Sequence, residues 1–229
     1  MDAVSQALLE AQHKAEALFA AVVDGGLIRA GKLESELSED IHELARERFG
    51  VVRHWHKRIA RAGSNTLLGY YDETTDRRID ADDIVYLDLG PVFESWEADF
   101  GRTYALGSDP HKHRLVGDLG VAFRQGKDHF ENNPRLTAGE LYDYVADLAI
   151  QRGWEFGAAT AGHLIGPFPH ERDPGEPKRF SIRHGNPQSL REPDEGGKRR
   201  HWILEVHFVD RVRQIGGFFE ELLTVPTPR

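Results

Sequence analysis

The sequence contains no cysteine among its 229 residues, and this absence limits its chemistry from the start. Disulfide bonds, thiolate metal sites and a cysteine nucleophile are all excluded. A metal site in this chain must therefore be built from oxygen and imidazole ligands. Such ligands favour manganese, cobalt, iron, zinc, magnesium or calcium over metals that prefer sulfur.

The sequence also lacks a basic excess and a long apolar run. Its net charge of −9 argues against a nucleic-acid-binding surface, which normally carries an excess of lysine and arginine. Polar and acidic residues interrupt the N-terminal stretch MDAVSQALLEAQHKAEALF, which predicts neither a signal peptide nor a membrane span. We expect a cytoplasmic protein that binds neither membranes nor nucleic acids. Its oligomeric state is left open, with a homodimer as one candidate.

The order of the predicted elements indicates a mixed α+β fold. A chain of this length can bury one large core or two small ones, and no linker divides it, so we expect residues 1–229 to form a single domain. Apolar residues recur at helical spacing in residues 3–23, 35–49, 109–130 and 137–152. Strand patterns are found in residues 65–71, 84–89, 201–209 and 217–225, and residues 172–200 have the composition of a long exposed loop.

Residues 84–104, IVYLDLGPVFESWEADFGRTY, place two carboxylates in unusual surroundings. Asp88 lies inside a β-prone apolar run that a Gly-Pro turn ends, and Asp99 follows eleven residues later on a second predicted strand. A buried carboxylate is unfavourable unless a metal, a proton or an arginine compensates its charge. On this segment alone two ordinary roles stay open: Asp88 can cap the turn at Gly90, and Asp99 can pair with Arg102.

Three later residues share this unusual placement. His163 lies between glycines in AGHLIGPFPHE, Glu205 lies inside the apolar strand HWILEVHF, and Glu220 lies in the apolar run GGFFEELLTV. Each alone has an ordinary explanation, as a hydrogen-bonded core histidine, a solvent-facing strand residue or a strand cap. With the two aspartates they make four carboxylates and one imidazole, whose formal charge of −4 balances two divalent cations. Two cations roughly 3.5–4 Å apart, sharing bridging carboxylates, are an arrangement used for hydrolysis.

The order and local sequences of these five residues resemble the pita-bread metallopeptidases, the family of methionine aminopeptidase, aminopeptidase P and prolidase, with creatinase as a metal-free relative. The family pattern is an aspartate, a second aspartate eleven residues later, a histidine in a Gly-His-x-x-Gly turn, and two glutamates. Here it is IVYLDLG, EADFGRTY, GHLIG, ILEV and FFEELL, over about residues 83–225. The resemblance implies the pita-bread fold, a curved and mainly antiparallel sheet covered by two pairs of helices, present as a catalytic domain alone.

The same resemblance implies a role for each residue. Asp88 would bind one cation, and Asp99 and Glu220 would bridge both. His163 and Glu205 would bind the second cation. His170, seven residues after His163, takes the place of a histidine that donates to the tetrahedral intermediate, and Glu205 is a candidate proton carrier. The implied cofactors are two divalent metal ions (Mn, Co, Zn or Fe). The implied substrate is a peptide or a peptide-like amide, cleaved by an aminopeptidase or an Xaa-Pro-type peptidase.

Three positions depart from the family pattern and leave the substrate open. Tyr70 stands where the family has a substrate-contacting histidine; His54 or His56 in RHWHKR can compensate, although surface or pocket-lining histidines are the favoured interpretation of that pair. Ala159 stands where Xaa-Pro enzymes tend to have a further histidine, and Val206 stands where the family has proline. The alternative function is therefore a non-catalytic pita-bread protein that binds its ligand. The full ligand set disfavours a metal-free, creatinase-like hydrolase.

Overall fold

Helices and antiparallel strands make up this computed structural model, which describes residues 2–171 and 179–225. The helices are α1 (Ala3–Asp24), α2 (Glu34–Phe49), α3 (Pro110–Asn132) and α4 (Ala138–Gln151). The strands are β1 (Ile59–Ala62), β2 (Ile84–Leu89), β3 (Val92–Phe93), β4 (Trp96–Glu97), β5 (Phe100–Ala105), β6 (Glu155–Phe156), β7 (Leu164–Ile165), β8 (His201–Asp210) and β9 (Ile215–Leu222). The four predicted helices are confirmed to within about two residues at each end.

Side-chain caps begin the helices where the sequence predicts them. Asp109 accepts a hydrogen bond from the backbone N–H of His111 at 2.8 Å, and Pro110 occupies the first helical position, where no amide hydrogen is needed. Thr137 and Glu140 form a reciprocal capping box, with hydrogen bonds of 2.9 and 3.2 Å between their side chains and backbone amides. Within the described ranges no helix combines the length and the apolar composition needed to cross a bilayer.

The main sheet is antiparallel, with the strand order β1-β2-β5-β9-β8-β6 and with β7 also paired to β8. Its register creates a row of partners: Asp88 lies opposite Gly101, Gly101 opposite Glu220, and Glu220 opposite Glu205. Cross-strand partners point to the same face of a sheet. The register therefore brings side chains from β2, β9 and β8 into one line, although they are distant in sequence.

Each helix pair packs on a different part of the sheet. Leu18 of α1 and Ile41 of α2 lie in one apolar cluster with Leu87 and Phe100 from β2 and β5. Helices α3 and α4 pack in a second cluster with β8, whose Trp202 is fully buried. These two pairs of helices on an antiparallel sheet are the α+β arrangement that the sequence predicts.

The predicted strand at residues 65–71 is wrong. The strand in this region is β1, which ends before it, and Gly63–Leu67 forms a 3₁₀ helix instead. The carboxylate of Glu34 favours this local structure, because it accepts hydrogen bonds from the Ala62 backbone N–H at 2.5 Å and from the Asn65 side-chain amide at 2.8 Å. Tertiary hydrogen bonds thus override the β propensity of the residues that follow.

Two further segments differ from the sequence prediction. The short hairpin of β3 and β4 is inserted after β2, so Asp99 lies just before β5 rather than within a strand directly paired across the Gly-Pro turn. In the predicted exposed loop, residues 172–178 lie outside the described residues. The rest of that loop buries Phe180, Ile182 and Leu190 against the α3–α4 cluster. Apolar residues without periodicity therefore anchor a loop that its composition marks as exposed.

Candidate metal centre

Three acidic side chains lie along one row of the main sheet. Asp88 is on β2, Glu220 on β9 and Glu205 on β8, and the row crosses β5 at Gly101. Gly101 has no side chain, and a Cβ atom there would collide with the ring of Phe218, which packs closely over it. Asp88 and Glu220 are only 8% and 2% exposed, and Glu205 is half-buried. The sheet register thus concentrates negative charge at one buried place.

Asp99 adds a fourth carboxylate between two imidazoles. Its Oδ1 atom lies 3.0 Å from Nε2 of His56, and its Oδ2 atom lies 3.3 Å from Nε2 of His163. Arg102, the ordinary partner that the sequence leaves open for Asp99, instead forms an ion pair with Glu221. The two oxygens of Asp99 therefore face two different nitrogen donors.

A glycine turn fixes His163. Gly162 has a φ of +133°, and a Cβ atom there would collide with the carbonyl oxygen of Ile203, so glycine is required. The Nδ1 atom of His163 donates to the carbonyl of Leu164 at 2.8 Å. Its Nε2 atom is thereby directed at the acidic groups and lies 3.4 Å from Oε1 of Glu205. A neutral imidazole held in this way presents an unprotonated nitrogen, the form that binds metals.

His56 enters the same cluster from the loop between α2 and β1. Its Nε2 atom lies 3.5 Å from Oδ1 of Asp88 as well as 3.0 Å from Oδ1 of Asp99, and its side chain is only 6% exposed. Two groups of potential metal donors result, each with its ligand atoms within 4.8 Å of one another: His56, Asp88 and Asp99 in the first, and Asp99, His163 and Glu220 in the second. Asp99 belongs to both.

Ionising all of the buried carboxyl groups at once is unfavourable without cations. Burial raises the pKa of Asp88 to about 6 and that of Glu205 to about 7, and neighbouring carboxylates add to both shifts. Burial, followed by the charges of Asp99 and Asp88, raises the pKa of Glu220 well above its usual value. Burial also works to raise the pKa of Asp99, but the two adjacent imidazoles outweigh it and hold that pKa below its usual range.

The imidazoles and one orphaned oxygen complete the case for metal binding. Burial works to lower the pKa of a histidine, yet the adjacent carboxylates raise the pKa of His56 to about 10 and that of His163 to about 9. The buried Oε2 atom of Glu220 has no hydrogen-bond partner among the described residues, which is rare for a buried carboxylate oxygen. Oxygen and imidazole donors around an excess of buried negative charge fit two divalent cations.

His170 lies at the edge of this cluster and is held by Glu97 of β4. The backbone N–H of His170 donates to Oε1 of Glu97 at 3.1 Å, and its Nδ1 atom donates to Oε2 at 2.8 Å. The Glu97 side chain is 1% exposed, so its carboxylate is largely shielded from solvent. The His170 ring lies 6.1 Å from that of His163 and 5.2 Å from that of Trp55, measured between centroids. Its second ring nitrogen, Nε2, is not used in the contact with Glu97.

A comparison with known proteins agrees with this geometry. The sequence profile of metallopeptidase family M24 matches residues 6–194, which is most of the chain. The chain belongs to metallopeptidase family M24. A centre of two divalent cations, as expected from the sequence, accords with membership of family M24, and the two donor groups around Asp99 are suited to hold it.

Individual proteins that are similar to this chain support the assignment of fold. A Xaa-Pro dipeptidase of Lactobacillus helveticus is 27% identical over 158 residues, which are 69% of this chain and 42% of that protein. The structure of a Xaa-Pro dipeptidase from Bacillus anthracis has a TM-score of 0.76 at 23% identity and covers 100% of this chain and 62% of that one. The structure of methionine aminopeptidase from Rickettsia prowazekii has a TM-score of 0.68 at 16% identity and covers 93% of this chain and 89% of that one. The predicted pita-bread fold is confirmed. The chain spans less than half the length of the curated relatives it matches.

The candidate centre brings together the residues that the motifs mark. The predicted catalytic residue His170 lies beside one cluster that contains all five predicted metal ligands. These ligands are Asp88, Asp99, His163, Glu205 and Glu220. Of the departures from the family pattern, Tyr70 is 36% exposed, with its ring 5.8 Å from that of His56.

Two residues that contact the candidate centre, His56 and Glu97, are not marked by any motif of the family pattern. The two histidines of RHWHKR point to different places in the structure. The His54 ring packs against that of His42, with centroids 5.8 Å apart, whereas His56 points into the cluster. The local sequence holds only weak signals: an i, i+2 histidine spacing for one, and an acidic residue two positions before Asp99 for the other. Backbone pairing that the sequence does not reveal brings them in.

Proposed function

We propose that this member of family M24 is a metal-dependent peptidase that uses two divalent cations to hydrolyse a peptide bond near the N-terminus of a short peptide, as an aminopeptidase or an Xaa-Pro-type peptidase. The observation that carries the proposal is the position of Asp99, whose two oxygens face different imidazoles and belong to different donor groups. A carboxylate placed in this way is suited to bridge two cations, as in two-metal hydrolases.

We assign the remaining metal ligands from their positions around Asp99. Asp88 belongs to the donor group at the Oδ1 side, and His163 with Glu205 lies at the Oδ2 side. Glu220 is in the second donor group, is buried on the neighbouring strand and has one unpaired oxygen, so we assign it as the second bridge. Two cations held by these four carboxylates would balance the buried charge.

The side chains then have distinct chemical roles. When bound, two divalent cations supply an activated water at neutral pH and polarise a carbonyl. Glu205 is our candidate to accept a proton from the nucleophile and to transfer it to the leaving amine. His170, fixed through Nδ1 by Glu97, is our candidate to donate from Nε2 to the oxygen of the tetrahedral intermediate. Fixing the ring in advance lowers the cost of orienting it during the reaction.

The rim of the site bears on the substrate. Two of the proteins compared are named Xaa-Pro dipeptidases, which makes an Xaa-Pro bond one candidate for this chain. However, Ala159 provides no imidazole where the resemblance associates a histidine with proline selectivity, and Tyr70 replaces a substrate-contacting histidine. We therefore propose a short peptide substrate whose second residue need not be proline.

Metal analysis followed by a peptide panel tests this function. Purified protein is stripped with chelator, reloaded with manganese or cobalt, and assayed for release of N-terminal residues from dipeptides and tripeptides with and without proline in second position. We expect two cations per chain and metal-dependent release. Asp99→Asn is expected to lose both cations and all activity, whereas Asp82→Asn, an exposed aspartate paired with Lys112, should behave as wild type.

The alternative function gives a different outcome in the same assay. A pita-bread protein that only binds peptides would take up cations and bind the panel without releasing amino acids. Wild-type metal content in Asp99→Asn would show that the assignment of Asp99 as a bridge is wrong. Metal-loaded wild-type protein that cleaves no peptide would favour a protein that only binds peptides. The observation behind this alternative is Tyr70, which replaces the substrate-contacting histidine of the family.

Four further properties stay predictions from the sequence. We propose that residues 1–229 act as one catalytic domain, that the protein is cytoplasmic, that manganese, cobalt, zinc or iron is the metal used, and that a homodimer is its candidate assembly. Cell fractionation, metal content of protein isolated under native conditions and sedimentation of the purified chain test the last three properties in turn. None of these measurements depends on knowing the substrate.

A further inference from the structure

The loop that carries His56 is held closely against the proposed metal centre. The backbone N–H of Trp55 donates to the carbonyl of Gly90 at 2.9 Å, and its indole N–H donates to the carbonyl of Ala98 at 3.1 Å. The backbone N–H of Val92 donates in return to this loop at 3.0 Å. These bonds tie the loop to the segments that immediately follow Asp88 and precede Asp99. The position of His56 is therefore determined by backbone contacts on both sides.

Glycine at position 90 allows this close approach. A Cβ atom at Gly90 would collide with the imidazole of His56 and with the indole of Trp55. The two rings are also in edge contact, with centroids 4.5 Å apart. The chain thus leaves space for the His56 ring directly beside Asp88.

His56 is oriented in the same way as the proposed metal ligand His163. Its Nδ1 atom lies 2.7 Å from the carbonyl oxygen of Lys57, which can only accept, so Nδ1 carries the hydrogen. Its Nε2 atom points between Asp88 and Asp99, at 3.5 and 3.0 Å. Histidines that bind metals almost always donate their other ring N–H to a carbonyl or a carboxylate, which fixes the tautomer. Each imidazole therefore has the orientation of a ligand, one on each side of Asp99.

We propose that His56 is a metal ligand, through Nε2, of the cation held by Asp88 and Asp99. It is a sixth protein ligand, in addition to the five that the family pattern predicts, and the inference rests on the proposed two-cation function. A neutral imidazole adds a donor without adding charge, so the balance of four carboxylates and two divalent cations is preserved. A nitrogen ligand at this cation shifts its preference from magnesium and manganese toward cobalt, nickel and zinc.

The main competing role for His56 is a hydrogen-bond donor to Asp99 that never contacts a cation. His56→Gln separates the two roles, because a glutamine amide can still donate to Asp99 but offers no imidazole nitrogen. His54→Gln is the matched control: it removes a half-buried imidazole from the same loop, two residues away, whose ring packs on His42. His163→Gln serves as the reference for loss of one imidazole ligand.

The test counts imidazole ligands on cobalt by X-ray absorption fine structure, in protein loaded with Co²⁺ alone. We expect two imidazoles per two cobalt ions in wild type and in His54→Gln, and one in His56→Gln and in His163→Gln. A competition titration with a chelator should show that His56→Gln weakens binding of one cobalt ion by about 10–100-fold or more. Circular dichroism and thermal melting of the metal-free proteins check that each variant is folded.

The outcomes separate this inference from the proposed function. Wild-type protein that binds two cobalt ions with one imidazole in total would overturn the role of His56 and leave the two-cation peptidase intact. The wild-type count decides this point even if His56→Gln does not fold. Unchanged cobalt affinity in folded His56→Gln would also overturn it. Wild-type protein that binds fewer than two cobalt ions would instead contradict the proposed function itself.

Discussion

Replacing Glu220 by glutamine separates two effects of this residue: its effect on the stability of the metal-free protein and its contribution to cation binding. In the metal-free protein, burial raises the pKa of Glu220 well above its ordinary value. The negative charges of Asp99 and Asp88 raise this pKa further. Folding therefore favours the protonated form of this carboxyl group, which has its ordinary pKa in the unfolded chain. A raised carboxyl pKa lowers stability above the unfolded pKa, and the loss grows as the pH rises toward the folded pKa. Glutamine is neutral in both states, so metal-free Glu220→Gln should be at least as stable as wild type at pH 7.

With cations the expected order reverses. Two cations, each at a free concentration about 100 times its dissociation constant, stabilise the folded state by about 2.7 kcal/mol apiece, or about 5 kcal/mol together. For a chain of this size that corresponds to a rise in melting temperature of roughly 10–20 °C. Because Glu220 is our second bridge, Glu220→Gln should lose half or more of this rise. Thermal melting with chelator and with added cobalt or manganese measures both effects.

Glu221 provides the matched control for this experiment. It is the next residue on β9 and faces the other side of the sheet, where it pairs with Arg102. Glu221→Gln should keep the full metal-dependent rise but lower the stability of the metal-free protein by about 1.5–3 kcal/mol, since a charged hydrogen bond is weakened. A full metal-dependent rise in Glu220→Gln would refute its role as a bridge. Strong destabilisation of the metal-free Glu220→Gln variant would refute the inference that burial raises the pKa of Glu220.

Three further predictions follow from the same cluster. Cation affinity should fall by about tenfold per pH unit for each displaced proton as the pH drops from 8 to 6, because Glu205 and its neighbours become protonated; calorimetry in two buffers of different ionisation enthalpy counts the protons. Glu97→Gln should lower kcat by about 10–100-fold with little change in KM, and should add little to His170→Ala, as a double-mutant cycle in the peptidase assay would show. Gly90→Ala should displace the His56 ring, weaken cation binding and lower the free energy of unfolding by about 1–3 kcal/mol, measured by chelator competition and denaturant titration.

Local patterns were sufficient to predict the helices and to single out the five acidic and imidazole residues that the fold brings into one cluster. Helical periodicity and caps such as Thr137 and Asp109 act within a few residues, so the sequence contains them directly. The acidic residues stand out for a related reason: Glu205 and Glu220 interrupt apolar strands, where a charge requires compensation. Their convergence in one row follows from strand register, which a local pattern does not contain.

The features that the sequence did not predict depend on contacts between distant segments. The turn at Asn65 depends on the side chain of Glu34, which lies 31 residues earlier in the chain. His56 reaches Asp99 only because its loop pairs with the segment after β2, and His170 is oriented by Glu97 across 73 residues. Periodicity and propensity describe neighbours along the chain, so they give no information on such contacts.

The register of the sheet itself favours the binding of cations by this cluster. Glu205 and Glu220 are direct cross-strand partners, and like charges in that position are destabilising. Without metal, protons must neutralise the cluster, and the raised pKa values of Asp88 and Glu205, about 6 and 7, place this exchange near neutral pH. Protons and divalent cations therefore compete for the same oxygens. The close placement of the carboxylates is unfavourable in the metal-free protein, and for the same reason it makes cation binding strongly favourable.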